Sequence, residues 1–469
     1  MANSSLITHH SSLLPNRRTA LKTAACGFGY LAFAGLAARA ADKEKGPLAP
    51  KEPHFPAKAK HVIFLCMEGA PSHVDTFDYK PRLAADDGKA FSKARAPFAK
   101  LLGSPWKFKQ HGKSGLWVSD LYPELAKYAD DLCVVNSMWT DVPAHPQAFQ
   151  HLHTGSFQFK RPSLGAWTLY GLGTDNENLP GFVTISPPIN NGGPTNYGSG
   201  FLPAVYQGTP IGGGGFGPRA GQMTVSNLRN PKLSTGAQRT QLDFIQQLNK
   251  SALARDPANP AVEGAIESFE LAFRMQADMP KLMDTSSESR ETQKLYGIGE
   301  GDTDRFGRQC LLARRFVEAG VRFVEVTSNG WDHHRNLKES LENRAGATDK
   351  PIAGLLADLK AKGLLKDTLV IWGGEFGRTP YAQGTDGRDH NHKGFTTWFA
   401  GGGTKGGRAV GKTDEYGYEA VENKVHIHDW HATILHLLGM DHEKLTFRHA
   451  GRDFRLTDVK GNVVKQVLA

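Results

Sequence analysis

Short apolar runs that alternate with amphipathic helix patterns constrain the fold of this chain more than any other feature. Each run has the length of a strand and is followed by turn residues, which is typical of a strand buried on both faces. Two of the runs directly follow a helical pattern, and this alternation produces a parallel sheet. The runs are HVIFLCM from His61, DLCVVNS from Asp131, GVRFVEVTS from Gly320 and DTLVIWGGE from Asp367, and the helical patterns are RQCLLARRFVEA from Arg308 and PIAGLLADLKAKG from Pro351. The sequence therefore predicts an α/β fold, with a mostly parallel central sheet and helices on both of its faces.

Metal-type side chains follow the ends of these predicted strands. Because the carboxyl ends of parallel strands meet at one edge of a sheet, we expect the side chains there to lie close together. Imidazole combined with carboxylate oxygen suits a divalent metal, with zinc the first expectation and manganese or iron the alternatives. His333 and His334 cannot point the same way on an extended backbone, so at most one of them is expected to be a ligand. The predicted metal ligands are Glu68, His73, Asp332, His334, Glu375, His390 and His392.

The first 40 residues have the pattern of an export signal. The twin arginines Arg17 and Arg18 precede a moderately apolar stretch, which is followed by Ala38-Arg39-Ala40, a small-x-small sequence that resembles a cleavage site. A membrane anchor is less favoured, because the stretch is shorter than the roughly 20 residues of a span and contains Gly and Ala. We therefore expect twin-arginine export to the periplasm or cell envelope, with the export machinery as a partner and no stable transmembrane span. Residues 41–60 read as a linker.

The net charge of +9 does not indicate a nucleic-acid-binding protein. The predicted signal holds Arg17, Arg18, Lys22 and Arg39 and no acidic residue. The remaining chain has no long Lys/Arg run and no alternation of basic with aromatic residues, so its charge is that of an ordinary solvated surface. The cysteines are scattered and predict neither a disulfide framework nor a zinc ribbon.

Three further stretches have a weaker signal. Residues 178–222 are rich in Gly, Pro and Asn, and they are predicted to form an irregular excursion that covers or frames the site. The pattern from Arg239 to Leu282 is helical. ATILHLLG near the C-terminus also indicates a helix, with His436 on its surface and Asp429 capping its start.

Six phrases, in order along the chain, resemble the family catalogued as domain of unknown function 1501. They are MEGAPSHVDTFDYKP, RPSLGAWTLYGLG, WDHHRNL, VIWGGEFGRTP, GRDHNHKGF and HDWHATILHLLGMDHEKL. The resemblance extends from about residue 60 to the C-terminus. It implies the metal-dependent hydrolase fold of the alkaline phosphatase and sulfatase superfamily, so that residues 61–469 would form one sulfatase-like domain.

The resemblance also implies roles for single residues. It matches Glu68 and Glu375 to acidic metal ligands, and Asp332, His334 and either His390 or His392 to further ligands. Phe376 departs from the pattern, because Asn or His is usual at that position. One metal position would then be weakened, or rebuilt with His73 or Asp75.

The nucleophile of sulfatases has no counterpart in this chain. Sulfatases convert Cys or Ser in a C-x-P-S-R phrase to formylglycine, and His145 stands at the corresponding distance before a Thr-Gly pair. We therefore expect His145 to be a metal ligand or a general base, with a helix-start residue of no catalytic role as the plain alternative. Ser72 and Thr140 are candidate hydroxyl nucleophiles, although neither has a base beside it in sequence. Arg378 is expected either to clamp an anionic oxygen or to hold its loop by an ordinary salt bridge.

These features together predict an exported metal-dependent hydrolase that acts on phosphate or sulfate esters without a formylglycine nucleophile. By analogy with that superfamily, the substrate would be a small-molecule or polysaccharide anionic ester. The alternative is a non-catalytic envelope binding protein that retains the hydrolase fold. Phe376 and the missing nucleophile motivate that alternative.

Overall fold

The apolar run at His61–Met67 forms the central strand of a large sheet. Residues 62–67 are all buried, so the strand is covered on both faces, as its continuous apolar pattern predicts. The structure is a computed structural model that describes residues 46–94, 98–212, 223, 225, 228–256 and 259–469. Residues 48–469 form one compact unit. The predicted export signal at residues 1–40 lies outside the described residues.

The strands of the described residues belong to one large sheet and to several two-stranded ribbons. In chain order they are β1 (His61–Met67), β2 (Phe108–His111), β3 (Leu116–Ser119), β4 (Leu132–Trp139), β5 (Phe182–Ile185), β6 (Thr209–Ile211), β7 (Phe323–Ser328), β8 (Thr368–Gly373), β9 (Gly377–Gln383), β10 (Gly387–Asn391), β11 (Phe395–Gly401), β12 (Arg408–Val410), β13 (Lys412–Thr413), β14 (Ala420–Glu422), β15 (Val425–His426), β16 (Phe447–His449) and β17 (Arg452–Phe454). The ribbons pair β2 with β3, β9 with β10, β13 with β14 and β16 with β17.

The large sheet is mostly parallel. Its strand order is β12-β4-β11-β8-β1-β7-β5-β6, with β15 also paired to β4. β1 runs parallel to both of its neighbours, with Leu65 opposite Val326 of β7 and Trp372 of β8. Among the described strands of this sheet, only β11 runs antiparallel to its neighbours, β4 and β8. The predicted α/β fold with a mostly parallel central sheet is confirmed, and each of the four apolar runs is one of its strands.

Helices cover this sheet. They are α1 (His73–Thr76), α2 (Pro81–Ala85), α3 (His145–Thr154), α4 (Leu164–Leu172), α5 (Thr235–Arg255), α6 (Pro260–Met283), α7 (Arg290–Leu295), α8 (Thr303–Glu318), α9 (Leu337–Ala361) and α10 (Ile427–Leu437), with 3-10 turns at Leu125–Asp131, Gly193–Tyr197, Ala204–Tyr206, Thr285–Ser287 and Lys465–Val467. On one face of β1, Phe64 contacts His153 of α3 and Trp430 of α10, with ring centroids 5.9 and 5.6 Å apart. Leu65 points to the opposite face and is also buried. No helix of the described residues is long and apolar enough to cross a bilayer.

The structure corrects the prediction for residues 178–222. Two pieces of this segment, β5 and β6, are strands at the edge of the central sheet, and β5 is completely buried. The apolar run Phe182–Ile185 is only four residues long and lies between Gly and Pro residues, so composition over the whole segment concealed it. Residues 186–191 do line a cleft at the carboxyl edge of the sheet.

The predicted linker at residues 41–60 is also corrected in its second half. Ala59 is fully buried, and the backbone N–H groups of Lys58 and Ala59 both donate to the carbonyl of Leu437 at 2.8 Å. Phe55 donates in the same way to Gly439 at 3.2 Å. Residues from Leu48 onward therefore belong to the compact unit. A Lys/Pro-rich composition does not reveal backbone hydrogen bonds to distant residues.

Candidate metal centre

The carboxyl edge of the sheet brings together loops that are far apart in sequence. Asp332 and His334 follow β7, His390 lies in β10 shortly after β8, and His145 is the first residue of α3. Gly69, which follows β1, has a φ of 109°, and a Cβ there would lie 2.6 Å from the backbone nitrogen of Asp332. Only glycine allows this close approach of the two loops.

Four side chains, which we call the group of four, each direct one donor atom toward the others. They are His145, Asp332, His334 and His390. Nε2 of His145, His334 and His390 lies 3.2, 2.8 and 3.4 Å, respectively, from Oδ1 of Asp332. The Nε2 atoms of His334 and His390 are 2.9 Å apart, and all four donor atoms lie within 4.8 Å of one another. Around a tetrahedral zinc ion with bonds of about 2.0–2.1 Å, ligand atoms are separated by about 3.3 Å. The four separations given above, from 2.8 to 3.4 Å, are close to this value.

The opposite ring nitrogen of each histidine faces a hydrogen-bond acceptor. The acceptors for Nδ1 of His145, His334 and His390 are Oε1 of Glu375 at 2.5 Å, Oε1 of Gln383, and the carbonyl oxygen of Pro143 at 2.7 Å. Because these oxygens accept, each Nδ1 carries the proton and donates it. Nε2 of each neutral ring then keeps a lone pair, and this tautomer is the one that metal-ligating histidines adopt.

Such a group needs a positive charge between its donor atoms. Three imidazole lone pairs that point toward one another and toward a carboxylate repel unless a proton or a cation separates them. Burial acts to lower the pKa of His145, but hydrogen bonds to Asp332 and Glu375 outweigh it and raise the pKa to about 9. Burial acts to raise the pKa of Asp332, but His145, His390 and Arg378 together hold it well below its ordinary value. The donor set fits a divalent cation in charge, chemistry and separation.

Two buried residues, Glu375 and Arg378, hold His145 and Asp332 in place. Glu375 is fully buried and accepts a hydrogen bond from the backbone N–H of Gly69 at 3.1 Å as well as from His145. Arg378 donates from Nη2 to Oδ1 of Asp332 at 2.6 Å, and its side chain is 1% exposed. Its other donors face the backbone carbonyls of Gly69, Ala70 and Arg388. These contacts support the salt-bridge role predicted for Arg378, since the printed partners of its guanidinium are Asp332 and backbone carbonyls. The anion-clamp role stays a prediction.

Glu375 is not the only predicted ligand outside the group of four. Glu68, His73 and His392 also lie outside it. Glu68 is half-buried, and its Oε1 accepts a hydrogen bond from Nδ2 of Asn191 at 2.7 Å. His73 is buried, with Nε2 2.7 Å from the carbonyl oxygen of Gly417 and Nδ1 accepting from the backbone N–H of Arg378 at 3.5 Å. Both ring nitrogens of His73 therefore serve the backbone, which corrects its prediction as a ligand. His392 is half-buried, and its own carbonyl accepts from the backbone N–H of Thr140 at 2.9 Å.

Phe376 packs against the group instead of extending it. Its ring centroid lies 4.7 Å from that of His145 and 4.7 Å from that of His390. Asp75, the predicted replacement ligand, is fully buried and accepts two hydrogen bonds from Arg388 at 2.7 and 3.0 Å. Neither Phe376 nor Asp75 can therefore add a ligand to the group of four.

A cleft of about 540 Å³ opens beside the group. Its lining includes His145, Asp332, Glu68 and two exposed arginines, Arg305 and Arg344. Among the described residues, neither arginine forms an ion pair with a carboxylate. Burial raises the pKa of Glu68, opposed by the hydrogen bond from the neighbouring asparagine and reinforced by the Glu375 carboxylate. The cleft thus joins the candidate metal centre to a carboxyl group of raised pKa and to cationic side chains.

Sequence reasoning missed Gln383 and the two cleft arginines. Gln383 ends β9 opposite Gly387 of β10, and the Gly-Thr-Asp-Gly turn between them was a usable hairpin signal. With that hairpin recognised, Gln383 would have been expected near His390. Arg305 and Arg344 lie on α8 and α9, and no local pattern distinguishes a cleft arginine from an ordinary surface one.

A family model described as "Protein of unknown function (DUF1501)" matches residues 59–468. No curated protein sequence matches the chain significantly. The chain is similar to the solved structure of the lipoteichoic acid synthase LtaP from Listeria monocytogenes, with 9% identity, a TM-score of 0.37, and coverage of 87% of this chain and 78% of that one.

Two further solved structures are similar in the same way. A protein in the alkaline phosphatase superfamily from Vibrio parahaemolyticus has 11% identity and a TM-score of 0.38, covering 84% of this chain and 70% of that one. The PsFucS1 sulfatase from Pseudoalteromonas sp. has 14% identity and a TM-score of 0.35, covering 82% and 68%.

Proposed function

This chain belongs to the DUF1501 family, and on that premise we propose that it is a metal-dependent hydrolase of phosphate or sulfate esters that works without a formylglycine nucleophile. The observation that carries the proposal is the convergence of three histidine Nε2 atoms on Oδ1 of Asp332. Because Nδ1 of each ring donates its proton to an oxygen, each Nε2 keeps a lone pair. The ring orientations therefore favour a cation between the Nε2 atoms and Oδ1 of Asp332.

The ligands that we assign are His145, Asp332, His334 and His390. Zinc is the first candidate, with manganese or iron as alternatives, because the donors are imidazole nitrogen and carboxylate oxygen. When bound, such an ion would polarise an ester oxygen and lower the pKa of a water molecule. His145 is held at both ring nitrogens, by Glu375 and toward Asp332. We therefore assign it as a ligand and not as a free base or nucleophile.

We assign proton transfer to Glu68. It lines the cleft beside His145 and Asp332, and one of its oxygens, Oε1, is occupied by Asn191. The raised pKa of Glu68 brings the carboxyl group closer to neutral pH, where a general base or acid is most effective. Oε2 of Glu68 would accept a proton from the water that attacks phosphorus or sulfur, and it would return that proton to the ester oxygen that departs as the P–O or S–O bond breaks. No covalent nucleophile would then be needed.

Arg305 and Arg344 support an anionic substrate. Both line the cleft, and among the described residues both lack an acidic partner. Guanidinium groups bind phosphate and sulfate oxygens in bidentate fashion. A small-molecule or polysaccharide ester with negative charge would bind more tightly through these contacts.

We also propose that the chain reaches the periplasm or cell envelope by the twin-arginine route, on the basis of Arg17 and Arg18.

The test combines metal analysis with turnover. The purified protein, reconstituted separately with zinc, manganese and iron, is assayed on p-nitrophenyl phosphate, bis-p-nitrophenyl phosphate and p-nitrophenyl sulfate. We expect Asp332→Asn to lose the metal held by this group, one equivalent, together with activity. We expect Glu68→Gln to keep the metal and to lose about 10²- to 10⁴-fold in kcat. Asp302→Asn, which alters another acid of the same cleft, is the matched control and should retain activity.

The outcomes separate the two candidate functions. Protein that binds no metal after reconstitution, or activity that survives Asp332→Asn, would overturn the proposal. Bound metal without turnover of any ester would favour a non-catalytic binding protein. The packing of Phe376 against His145 and His390, where the resemblance leads one to expect another ligand, is the observation that favours this alternative.

A further inference from the structure

A second set of metal-type side chains lies inside the protein. Cys66 of β1, His153 of α3 and Glu325 of β7 each offer one donor atom, and these atoms lie within 4.8 Å of one another. The three side chains are buried, with exposures of 0%, 3% and 1%. Nothing in the hydrolase proposed above uses them. We call them the inner triad.

His153 has the ring orientation of a metal ligand. Its Nδ1 lies 2.8 Å from the carbonyl oxygen of Phe149, so Nδ1 carries the proton and donates it. Its Nε2 is buried, lies 3.2 Å from Oε2 of Glu325, and has no hydrogen-bond partner among the described residues. A histidine that donates Nδ1–H to a backbone carbonyl and presents a bare Nε2 to other donors is typical of a metal site.

Among the described residues, no Lys or Arg side chain forms an ion pair with the Glu325 of the inner triad. Glu325 is almost fully buried, and its described polar contacts are His153 and, at 3.4 Å, the hydroxyl of Thr327. Burial, followed by the carboxylates of Glu325, Glu375 and Glu68, raises the pKa of Cys66 well above its ordinary value. Cys66 therefore remains a thiol until a cation is near. An uncompensated buried carboxylate is unfavourable, and a divalent cation would balance it.

A third group of metal-type side chains differs from the inner triad, because hydrogen bonds alone account for its geometry. Asp141, His151 and His426 also have donor atoms within 4.8 Å of one another. Nδ1 of His426, however, accepts a hydrogen bond from the backbone N–H of His428 at 3.3 Å. Nε2 of a neutral His426 then carries the proton and faces Asp141 at 3.2 Å. That tautomer has no lone pair for a metal, so we assign this group to hydrogen bonding.

We propose that Cys66, His153 and Glu325 bind a second divalent metal, zinc by the chemistry of the donors, in a buried structural site. Thiolate, imidazole and carboxylate together suit zinc more than calcium or magnesium. Coordination would release the thiol proton of Cys66 to solvent. The ion would tie α3, which begins with His145, to the two central strands β1 and β7. The site is separate from the proposed active site and does not depend on its chemistry.

The competing explanation is an ion pair between a protonated His153 and Glu325. Burial acts to lower the pKa of His153, and the Glu325 carboxylate outweighs it and raises the pKa. Such a pair needs neither metal nor sulfur. The two explanations therefore differ in whether Cys66 contributes a thiolate to a bound ion.

Cobalt(II) distinguishes them, because a cobalt thiolate has an intense near-ultraviolet charge-transfer absorption that imidazole and carboxylate ligands lack. The full-length protein is reconstituted with cobalt or zinc and its metal content is counted. We expect about two equivalents and a thiolate band in the native protein, and one equivalent without the band in Cys66→Ser. Cys133→Ser and Cys310→Ser alter the other two cysteines of the described residues, which are also buried. These variants should keep the native metal content and the thiolate band. Asp332→Asn should lose one equivalent and keep the band.

The absence of the band from the native protein, or its persistence in Cys66→Ser, would overturn the proposal. If Cys66→Ser does not fold, X-ray absorption of the native zinc protein answers the same question. We expect a sulfur neighbour at about 2.3 Å from zinc, and a spectrum with nitrogen and oxygen neighbours alone would contradict the site. If the hydrolase proposal fails, the metal equivalent that depends on Asp332 would be missing, whereas the equivalent bound by the inner triad would still be found.

Discussion

At the scale of single residues, the orientation of the histidine rings decides what the group of four can bind. His145, His334 and His390 each donate Nδ1–H to a fixed oxygen, which directs Nε2 toward Asp332. The residue that controls His145 is Glu375, a buried carboxylate that also accepts from the backbone of Gly69. Glu375 was predicted to be a ligand. Its contacts place it behind His145, where it accepts the Nδ1 proton of the imidazole and increases the basicity of the ring.

Glu375→Gln should weaken metal binding without unfolding the protein. The amide can present N–H to His145, which opposes the tautomer that leaves Nε2 free. We expect about 10- to 100-fold lower zinc affinity, measured by competition with a chromogenic chelator. Glu342→Gln, on the exposed surface of α9, is the control and should bind like the native protein. Equal affinity in Glu375→Gln would contradict the role assigned to this carboxylate.

Gly69 sets the distance between two site loops, because its backbone conformation and the nearby Asp332 backbone both exclude a Cβ. We expect Gly69→Ala to lower the free energy of unfolding by more than about 2 kcal/mol and to reduce metal retention. Gly88→Ala is a matched control, since Gly88 has a φ of 75° but no atom within 4 Å of the added Cβ. It should lose only about 1 kcal/mol. Denaturant unfolding of the two variants measures the difference, and equal losses would contradict the close-approach argument.

At the scale of elements, helix α3 connects three separate groups of donor atoms. His145 belongs to the group of four, His151 to the hydrogen-bonded group with Asp141, and His153 to the inner triad. At about 100° per residue, positions six and eight residues beyond His145 point about 240° and 80° away from it. One short helix thus distributes its histidines in three directions. Its C-terminal Gly155 has a φ of 67°, the left-handed conformation that ends helices.

Asp349 in α9 makes the stability of one contact between structural elements depend on pH. Its carboxylate accepts the backbone N–H groups of Glu124 and Leu125, each at 2.8 Å, at the start of a 3-10 turn. Burial raises the pKa of Asp349 to about 6, with these hydrogen bonds opposing the shift. The folded protein therefore holds this proton more tightly than the unfolded chain. The resulting stability is present at low pH and is lost as the pH rises from about 4 through about 6, by about 3 kcal/mol.

Asp349→Asn should remove this part of the pH dependence. We expect the difference in unfolding free energy between pH 4 and pH 7 to change by about 3 kcal/mol relative to the native protein, both measured with chelator present. Comparing the pH difference within each protein cancels the constant effect of replacing one backbone acceptor. Identical pH profiles for native protein and variant would show that Asp349 does not titrate in this range.

At the scale of the whole molecule, the proposed export and the proposed inner metal site are connected by the order of events. Twin-arginine routes carry folded cargo, so a buried ion in the inner triad would enter before export. Replacing Arg17 and Arg18 together by Lys should retain the precursor in the cytoplasm, because the route reads the arginine pair. Cell fractionation with immunodetection measures this. Lys22→Gln, which removes a nearby positive charge outside the pair, should still be exported, and export of the double Lys variant would contradict the twin-arginine proposal.

The sequence by itself determined the main elements and the kinds of residue at the site. The strands β1, β4, β7 and β8 and the helices α8 and α9 follow from local apolar periodicity, which depends on neighbouring residues alone. The family followed from ordered phrases that extend over most of the chain. The placement of Asp332, His334 and His390 at the carboxyl edge followed from the parallel sheet.

Only the tertiary structure decided which candidates converge. His73 and His390 both follow strand ends in sequence, yet His73 serves backbone groups of other loops and His390 joins the group of four. Arg378 was equally compatible with a clamp or a salt bridge by sequence, and its burial against Asp332 supports the salt bridge. The inner triad was not predicted, because Cys66 and Glu325 read as ordinary strand positions. Convergence depends on ring orientation and on contacts between distant loops, and neither is encoded in local periodicity.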